Sequence, residues 1–272
     1  MKLYGITGCP LDHSLSPVLH NWALKQAGLA GVYLAWPLDA GRMPDFVNAV
    51  RTLHIQGVSV TIPHKQSIVP LLDGLTARAR ALGAVNTLYW DTNGLCGDNT
   101  DVDGFAAPLR GRAFGSALVL GAGGAARAAL AGLREIGLRA VAVCNHNGER
   151  ALKLAEEFEV RHAGWEERAA CEADLVINAT PLGMRGAHEG LSPLPPEAFA
   201  RRHAGPRLAY DLVYTPLTTR FLADAEAAGW QTQDGLTMFI AQAQAQFRLW
   251  TGREFSEADA RSLLLRELGK RH

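Results

Sequence analysis

The sequence predicts an α/β protein of two domains. Three observations carry this reading. Short β-branched runs alternate with amphipathic segments along most of the chain, a Gly-rich stretch over residues 110–116 breaks the rhythm once, and from Thr237 onward the pattern is wholly helical. Alternation of strand and helix marks βαβ units and mainly parallel sheets. With 272 residues and 48% apolar side chains, the chain has material for a core in each of two ordinary domains.

Taken in order, strands are expected over residues 2–7, 32–37 and 57–62, each rich in Val, Ile, Leu or aromatic side chains. Residues 87–90 and 94–96 flank the turn dipeptide Asn93-Gly94 and read as a hairpin. Strands resume over 117–120, 140–144, 175–178 and 208–213. The Gly-rich break is the natural domain boundary, so the first domain is expected over 1–103 and the second over 104–236. In the last segment Met238, Ile240, Ala241, Phe247 and Trp250 supply an apolar helical face. That face is expected to pack back on the first domain, making it 1–103 plus 237–272.

Composition removes several function classes. The 27 basic and 27 acidic residues cancel, and no cluster of Lys and Arg alternates with aromatics, so nucleic acid is not an expected partner. No run approaches the roughly 20 apolar residues of a membrane span. Residues 1–7 enter a strand-like segment without the apolar run of a secretory signal, and a cytoplasmic location is expected. Cys9, Cys96, Cys144 and Cys171 are far apart and lie at no metal-ligand spacing, which predicts reduced thiols and no metal.

One motif is specific in its context. The strand-like Ala117-Leu118-Val119-Leu120 leads into Gly121-Ala122-Gly123-Gly124-Ala125-Ala126 and then a helix-forming run, Arg127 to Ile136. This is the G-x-G-x-x-G/A pattern of a Rossmann-type dinucleotide-binding domain. The first Gly permits a tight turn, the second lets backbone approach a pyrophosphate, and a small third residue lets helix pack on strand. The helix N-terminus adds unpaired N–H groups and a partial positive charge. After the next strand come Asn145, His146, Asn147, Gly148, Glu149 and Arg150. No acid stands at the strand tip, where NAD enzymes place a carboxylate for the ribose hydroxyls. Asn145, His146 and Arg150 would suit a 2′-phosphate, while Glu149 reads either as a ribose ligand or as a solvated helix-start carboxylate.

Four polar clusters in the first domain exceed what a core requires. They are Ser14-Leu15-Ser16-Pro17, Ser59-Val60-Thr61-Ile62-Pro63-His64-Lys65, Gly83 to Thr87, and Gly97-Asp98-Asn99-Thr100-Asp101. Each has a bland role: helix capping, a surface charge, Asx turns. Together they offer neutral donors and acceptors with one Lys and one Asp, which suits a polyhydroxylated ligand.

These motifs, in this order and over nearly the whole chain, resemble the shikimate dehydrogenase family, which includes quinate dehydrogenases. The resemblance implies an α/β two-domain architecture: an N-terminal α/β substrate domain completed by C-terminal helices, and a Rossmann-type NADP domain. It implies reversible NADPH-dependent reduction of 3-dehydroshikimate to shikimate in chorismate and aromatic amino acid biosynthesis, with no metal. Lys65 and Asp101 match the catalytic pair. Ser14 and Ser16 match the substrate-carboxylate anchor, Thr61, Asn86 and Gln242 match ligands of the substrate, and Tyr214 lines the site. Gly121 to Ala126, Asn145, His146, Asn147, Arg150, Thr180, Leu212 and Gly235 fall on the cofactor side. The chain departs from the family twice: Ser59 stands where Asn is usual, offering one donor rather than two, and Asn145-His146-Asn147 replaces Asn-Arg-Thr. NAD as cofactor, quinate as substrate, and a monomer or a homodimer therefore stay open. A non-catalytic nucleotide sensor is the rival from another class, and it would not need the proton donor that Lys65 supplies.

Overall fold

Strand and helix alternation over the first hundred residues yields one mixed sheet. The computed structural model describes residues 1–200 and 205–270. Its first elements are β1 (Lys2–Gly8), α1 (Ser16–Gln26), β2 (Gly31–Pro37), α2 (Met43–Thr52), β3 (Gly57–Val60), β4 (Gly74–Leu75), α3 (Ala77–Leu82), β5 (Thr87–Asp91) and β6 (Gly94–Asp98). The sheet order is β2-β1-β3-β5-β6-β4. β1 pairs parallel with β2 and β3, and β5 runs antiparallel to both β3 and β6. In the β5–β6 hairpin Asp91 faces Gly94, so Thr92 and Asn93 form the loop, and the Asp91 carboxylate accepts the Asn93 N–H at 2.6 Å.

The chain continues through α4 (Asp101–Ala106), β7 (Ala117–Leu120), α5 (Gly124–Glu135), β8 (Val141–Cys144), α6 (Gly148–Phe158), β9 (Arg161–His162), β10 (Leu175–Asn178), β11 (Leu208–Asp211), α7 (Arg220–Ala227), β12 (Gln231–Gln233), α8 (Gly235–Thr251) and α9 (Glu257–Lys270). The strands of this second sheet are all parallel and run β12-β11-β10-β7-β8-β9. Counted from β7, that is the 3-2-1-4-5-6 order of the Rossmann fold. Alternate strand residues face opposite ways. Val119, Val143 and Ile177 pack under α5 and α6, while Leu118, Leu120, Ala142 and Val176 meet Phe199, Phe221 and Leu222 on the other side. Continuous apolar strands of this kind are what a sheet covered on both faces demands. The two-residue β4 and β9 and the polar three-residue β12 are too short to carry any alternation.

By internal contacts the chain divides into two units, Met1–Asp101 with Ile240–His272, and Val102–Phe239. In the first unit the C-terminal helices close the sheet. The Trp250 indole N–H donates to the Leu88 carbonyl at 2.8 Å, Gln244 bridges to the Phe255 backbone, and Arg253 reaches the Ala27 carbonyl. Among the described residues no helix is long and apolar enough to cross a membrane, and no group of three or more His, Cys, Asp or Glu side chains could hold a metal.

Candidate active site

The turn after β3 and the start of α4 meet in the first unit. Lys65 is tied down through its carbonyl, which accepts the Val85 N–H at 2.8 Å. Its Nζ donates to Asp101 Oδ2 at 2.5 Å, with 24% and 15% of the two side chains exposed. The second Asp101 oxygen accepts from Asn86 Nδ2 at 2.8 Å. Asn86 is buried, its Oδ1 takes the Thr100 N–H and the Thr87 hydroxyl, and its amide also meets the Thr100 hydroxyl. In this arrangement Asn86 has no donor left over for a ligand and serves to orient Asp101. The Lys65 ammonium, by contrast, has two N–H groups to offer.

A buried brace supports the loop that carries Asp101. Arg78 holds Asp98 through two bonds of 2.7 and 2.6 Å, and the Thr76 hydroxyl adds a third at 2.6 Å. Burial works to raise the Asp98 carboxyl, and the Arg78 fork with the Thr76 hydroxyl outweighs it, holding the group below the usual carboxylate range. In the sequence Asp98 carries only the signature of a turn former. Its partner lies 20 residues away and only the fold reveals it.

The remaining substrate-side residues divide by what their side chains already do. Ser16 is the first residue of α1 with Leu15 as its N-cap and no side-chain cap, while the Ser14 hydroxyl accepts the Ser16 N–H at 3.3 Å. Neither serine is consumed by conventional capping. Thr61 lies past the end of β3, and its hydroxyl makes no hydrogen bond to a described residue. Gln242 is half-buried on α8. Ser59 is different. Its hydroxyl accepts from Tyr33 Oη at 2.6 Å and donates to Gln246 Oε1 at 2.7 Å, which leaves no donor for a ligand. Burial raises the Tyr33 hydroxyl far above its ordinary range, with the Ser59 and Ser16 hydroxyls opposing, so Tyr33 stays a donor.

The strand expected over 57–62 ends at Val60, and His64 stands in the following turn. It is fully buried, with Nε2 at 2.7 Å from the Leu38 carbonyl. His64→Ala is therefore expected to cost stability, about 1–3 kcal/mol for the orphaned carbonyl and lost packing, with turnover of the folded fraction within a few-fold of the parent. Urea unfolding beside initial rates checks both halves.

In the second unit the Gly loop follows β7 as expected. Gly121 has φ +122°, and a Cβ there would stand 2.7 Å from the Ala179 carbonyl oxygen, so the tops of β7 and β10 approach at a point only Gly allows. This is the switch point where Rossmann sheets receive dinucleotides. Gly123, Gly124 and Ala125 are exposed, α5 opens with no side-chain cap, and Ala126 is fully buried against the sheet. Uncapped N–H groups beside open glycines fit a pyrophosphate. Beyond β8, Asn145 is buried and donates to the Asn147 carbonyl at 3.3 Å. Asn147 caps α6, accepting the Arg150 N–H at 3.0 Å, so its oxygen is committed to structure. His146 lies edge-on to Trp165, and the exposed Arg150 guanidinium pairs with no described residue.

The loops after β10 and β11 are joined by a buried polar cluster around Asp211. Asp211, fully buried, accepts from Asn178 Nδ2 at 3.0 Å, the Val213 N–H at 2.9 Å and the Thr219 hydroxyl at 2.5 Å. Burial pushes its carboxyl up to about 6 even against these donors. Asn178 Oδ1 in turn accepts the Thr180 N–H and hydroxyl, which orders the loop facing Gly121. Gly235 starts α8 with the Leu212 backbone pressed against it and its N–H on the Val213 carbonyl. Tyr214 belongs to this unit, its ring 5.2 Å from that of Phe239.

A Rossmann sheet with an open glycine loop in one unit, and a Lys–Asp pair held by a buried amide in the other, define a two-unit dehydrogenase. Comparison with known proteins narrows the class. Residues 6–88 match the model of a shikimate dehydrogenase substrate binding domain, and residues 235–265 that of a shikimate 5'-dehydrogenase C-terminal domain. The shikimate dehydrogenase (NADP(+)) of Oleidesulfovibrio alaskensis is 54% identical over 97% of this chain and 94% of its own. Shikimate 5-dehydrogenase of Thermus thermophilus, solved in complex with NADP(H) and shikimate, superposes with a TM-score of 0.88 at 41% identity, covering 98% of this chain and 99% of that one. Quinate dehydrogenase of Corynebacterium glutamicum, solved with NAD, gives 0.88 at 31% identity over 97% and 99% of the two chains. The chain belongs to the shikimate dehydrogenase family.

Proposed function

We propose that this protein catalyses the reversible reduction of 3-dehydroshikimate to shikimate with NADPH, a step toward chorismate and the aromatic amino acids. The observation that carries the reading is the Lys65–Asp101 pair at 2.5 Å, partly open to solvent, with the second Asp101 oxygen on Asn86. The first unit takes the substrate: Ser14 and Ser16 face its carboxylate, Thr61 and Gln242 its hydroxyls. The second unit takes the cofactor, the exposed Gly123-Gly124-Ala125 backbone and the α5 N-terminus receiving the pyrophosphate. When bound, the reduced nicotinamide supplies the hydride. As the ketone oxygen gains negative charge, the Lys65 ammonium stabilises it and delivers the proton. Asp101 keeps that ammonium aimed, and Asn86 keeps Asp101 aimed. Ser59, with its donor on Gln246, contributes as a support for the pocket. Four free cysteines and no membrane-crossing helix among the described residues support a cytoplasmic place for this chemistry.

The test is initial rates with shikimate and with quinate, each with NADP and with NAD. Fastest turnover of shikimate with NADP is expected. A flat absorbance at the reduced-nicotinamide band in all four combinations overturns the reading. Arg150 carries the cofactor preference: its guanidinium, paired with no described residue, stands at the start of α6, where a 2′-phosphate would gain charge-assisted bonds of about 1.5–3 kcal/mol. Arg150→Ala is expected to weaken NADP roughly 10-fold to 150-fold and NAD little. Equal losses for the two cofactors would take the 2′-phosphate away from Arg150.

A further inference from the structure

We infer that Gln246 is a positioning residue for the Lys65–Asp101 pair, acting through Thr87 and Asn86. The kinetic part of this inference rests on the dehydrogenase reading; the structural part does not. Gln246 lies on α8 with 2% of its surface exposed, one turn beyond Gln242. Its Oε1 accepts from Ser59 at 2.7 Å, and its Nε2 donates to Thr87 Oγ1 at 3.0 Å and to the Asn86 carbonyl at 3.2 Å. All four of these side chains are buried or lie in the buried network, and each bond has a direction.

Direction is what Gln246 controls. The Ser59 proton is drawn to Oε1 because Ser59 already accepts from Tyr33. That fixes the sense of the Gln246 amide, so Nε2 must face Thr87. With an N–H arriving at its oxygen, the Thr87 hydroxyl turns its own proton to Asn86 Oδ1 at 2.7 Å. Asn86 Oδ1 then receives the Thr87 hydroxyl and the Thr100 N–H, with the Thr100 hydroxyl also at 3.2 Å, and presents Nδ2 to Asp101. The reverse sense would set a carbonyl oxygen against a carboxylate. Without Gln246 the Thr87 proton is free to turn to the Thr100 hydroxyl, 3.2 Å away, and Asn86 Oδ1 loses its shortest donor. Gln246 touches neither of the paired charges, and its influence travels through three hydrogen bonds.

Two readouts test this. The first is the turnover number and Michaelis constants of the purified full chain with shikimate and NADP. The second is the acetylation rate of Lys65 by acetic anhydride, followed by peptide mass, which needs no turnover. Gln246→Met keeps the volume and removes every bond; Thr87→Val removes the relay hydroxyl. Both are expected to lower turnover about tenfold or more through misplacement of the pair, to leave the Michaelis constant for NADP within twofold, and to speed Lys65 acetylation severalfold. Thr87→Ser, which keeps the hydroxyl, is expected to recover most of the rate. The double variant Gln246→Met/Thr87→Val should be no worse than the poorer single one, because both break one path. A Thr87→Val protein with parental turnover and parental acetylation, or full additivity in the double variant, overturns the inference. Should Gln246→Met fail to fold, the Thr87→Val and Thr87→Ser pair decides. If the parent oxidises neither shikimate nor quinate, the substrate reading fails and the acetylation rates alone decide.

Discussion

Lys65→Ala is expected to lower the turnover number about 100-fold to 10,000-fold, the range for loss of a positioned proton donor, while the Michaelis constant for shikimate rises far less. The asymmetry follows from where the charge acts. On the proposed reading, Ser14, Ser16, Thr61 and Gln242 would meet the substrate equally in ground and transition states, whereas the ammonium would gain most as the ketone oxygen becomes alkoxide-like. Lys65→Met, which keeps much of the stem, should match the alanine variant, since the stem makes no part of the chemistry. Removing Lys65 also strands the Asp101 carboxylate with only Asn86 beside it, so some loss of stability accompanies the loss of rate. Stopped-flow and steady-state rates at saturating shikimate and NADP decide the matter. Near-normal turnover in a folded Lys65→Ala protein, with His64→Ala inactive, would move the proton donor to His64.

The residues visible in the sequence were those whose role is set by near neighbours in the chain. Gly121 announced itself because strand, glycine loop and helix are contiguous, and the φ of +122° it needs is one that few other residues adopt. The β5–β6 hairpin was readable from Asn93-Gly94 for the same reason. The lysine and aspartate were assignable only through family resemblance, since their contact spans 36 residues and no local pattern pairs them. What stayed hidden is the polar network behind them. Tyr33 and Ser59 are 26 residues apart, and Ser59 and Gln246 are 187 apart. A glutamine on an apolar helix face gives no sign that it will point at a serine. Ser59 offers one donor where the family usually has two, and the structure shows that donor committed inward to Gln246. The end of β3 was hard to read because apolar and β-branched residues continue to Ile62 while the ladder stops at Val60.

A second large effect concerns acid. His20 is buried with its ring stacked 4.5 Å from Tyr33 and close to Trp250, and burial lowers its pKa to about 3, the nearby Gln246 amide opposing only weakly. A free histidine takes its proton near 6.5. The unfolded chain therefore binds a proton that the folded one refuses, and His20's contribution is intact above about pH 6.5 and lost as pH falls toward 3, by about 1.4 kcal/mol per pH unit. Asp211 runs the other way. Raised to about 6, it binds a proton in the folded state that the unfolded chain, with a value near 3.8, does not, so its contribution grows as pH falls from 6 to 4. Between those limits the two slopes offset. Asp211→Asn should unmask the histidine: relative to the parent, the variant should lose about 2.5 kcal/mol between pH 7 and pH 4, and His20→Phe should gain over the same interval. Denaturant unfolding at both pH values measures each difference. Parallel pH curves for parent and Asp211→Asn would show that the carboxyl titrates in its ordinary range.

The first unit is written in two parts of the chain, residues 1–101 and 240–272, with the whole second unit between them. On a ribosome the serines, threonines and asparagine of the first segment emerge before the second unit, and the glutamine that closes their network emerges after it. Until then the Ser59 and Thr87 hydroxyls and the Asn86 carbonyl await the partner that will hold them, behind an apolar sheet face still bare of Phe247 and Trp250. The inserted unit, whose contacts lie within one continuous segment, can settle in the meantime, and by folding it shortens the loop that the late helix must close. Closure of the network by Gln246 thus waits on the segment that follows the second unit, and until then Asn86 and Asp101 lack the bond that Gln246 makes to Thr87.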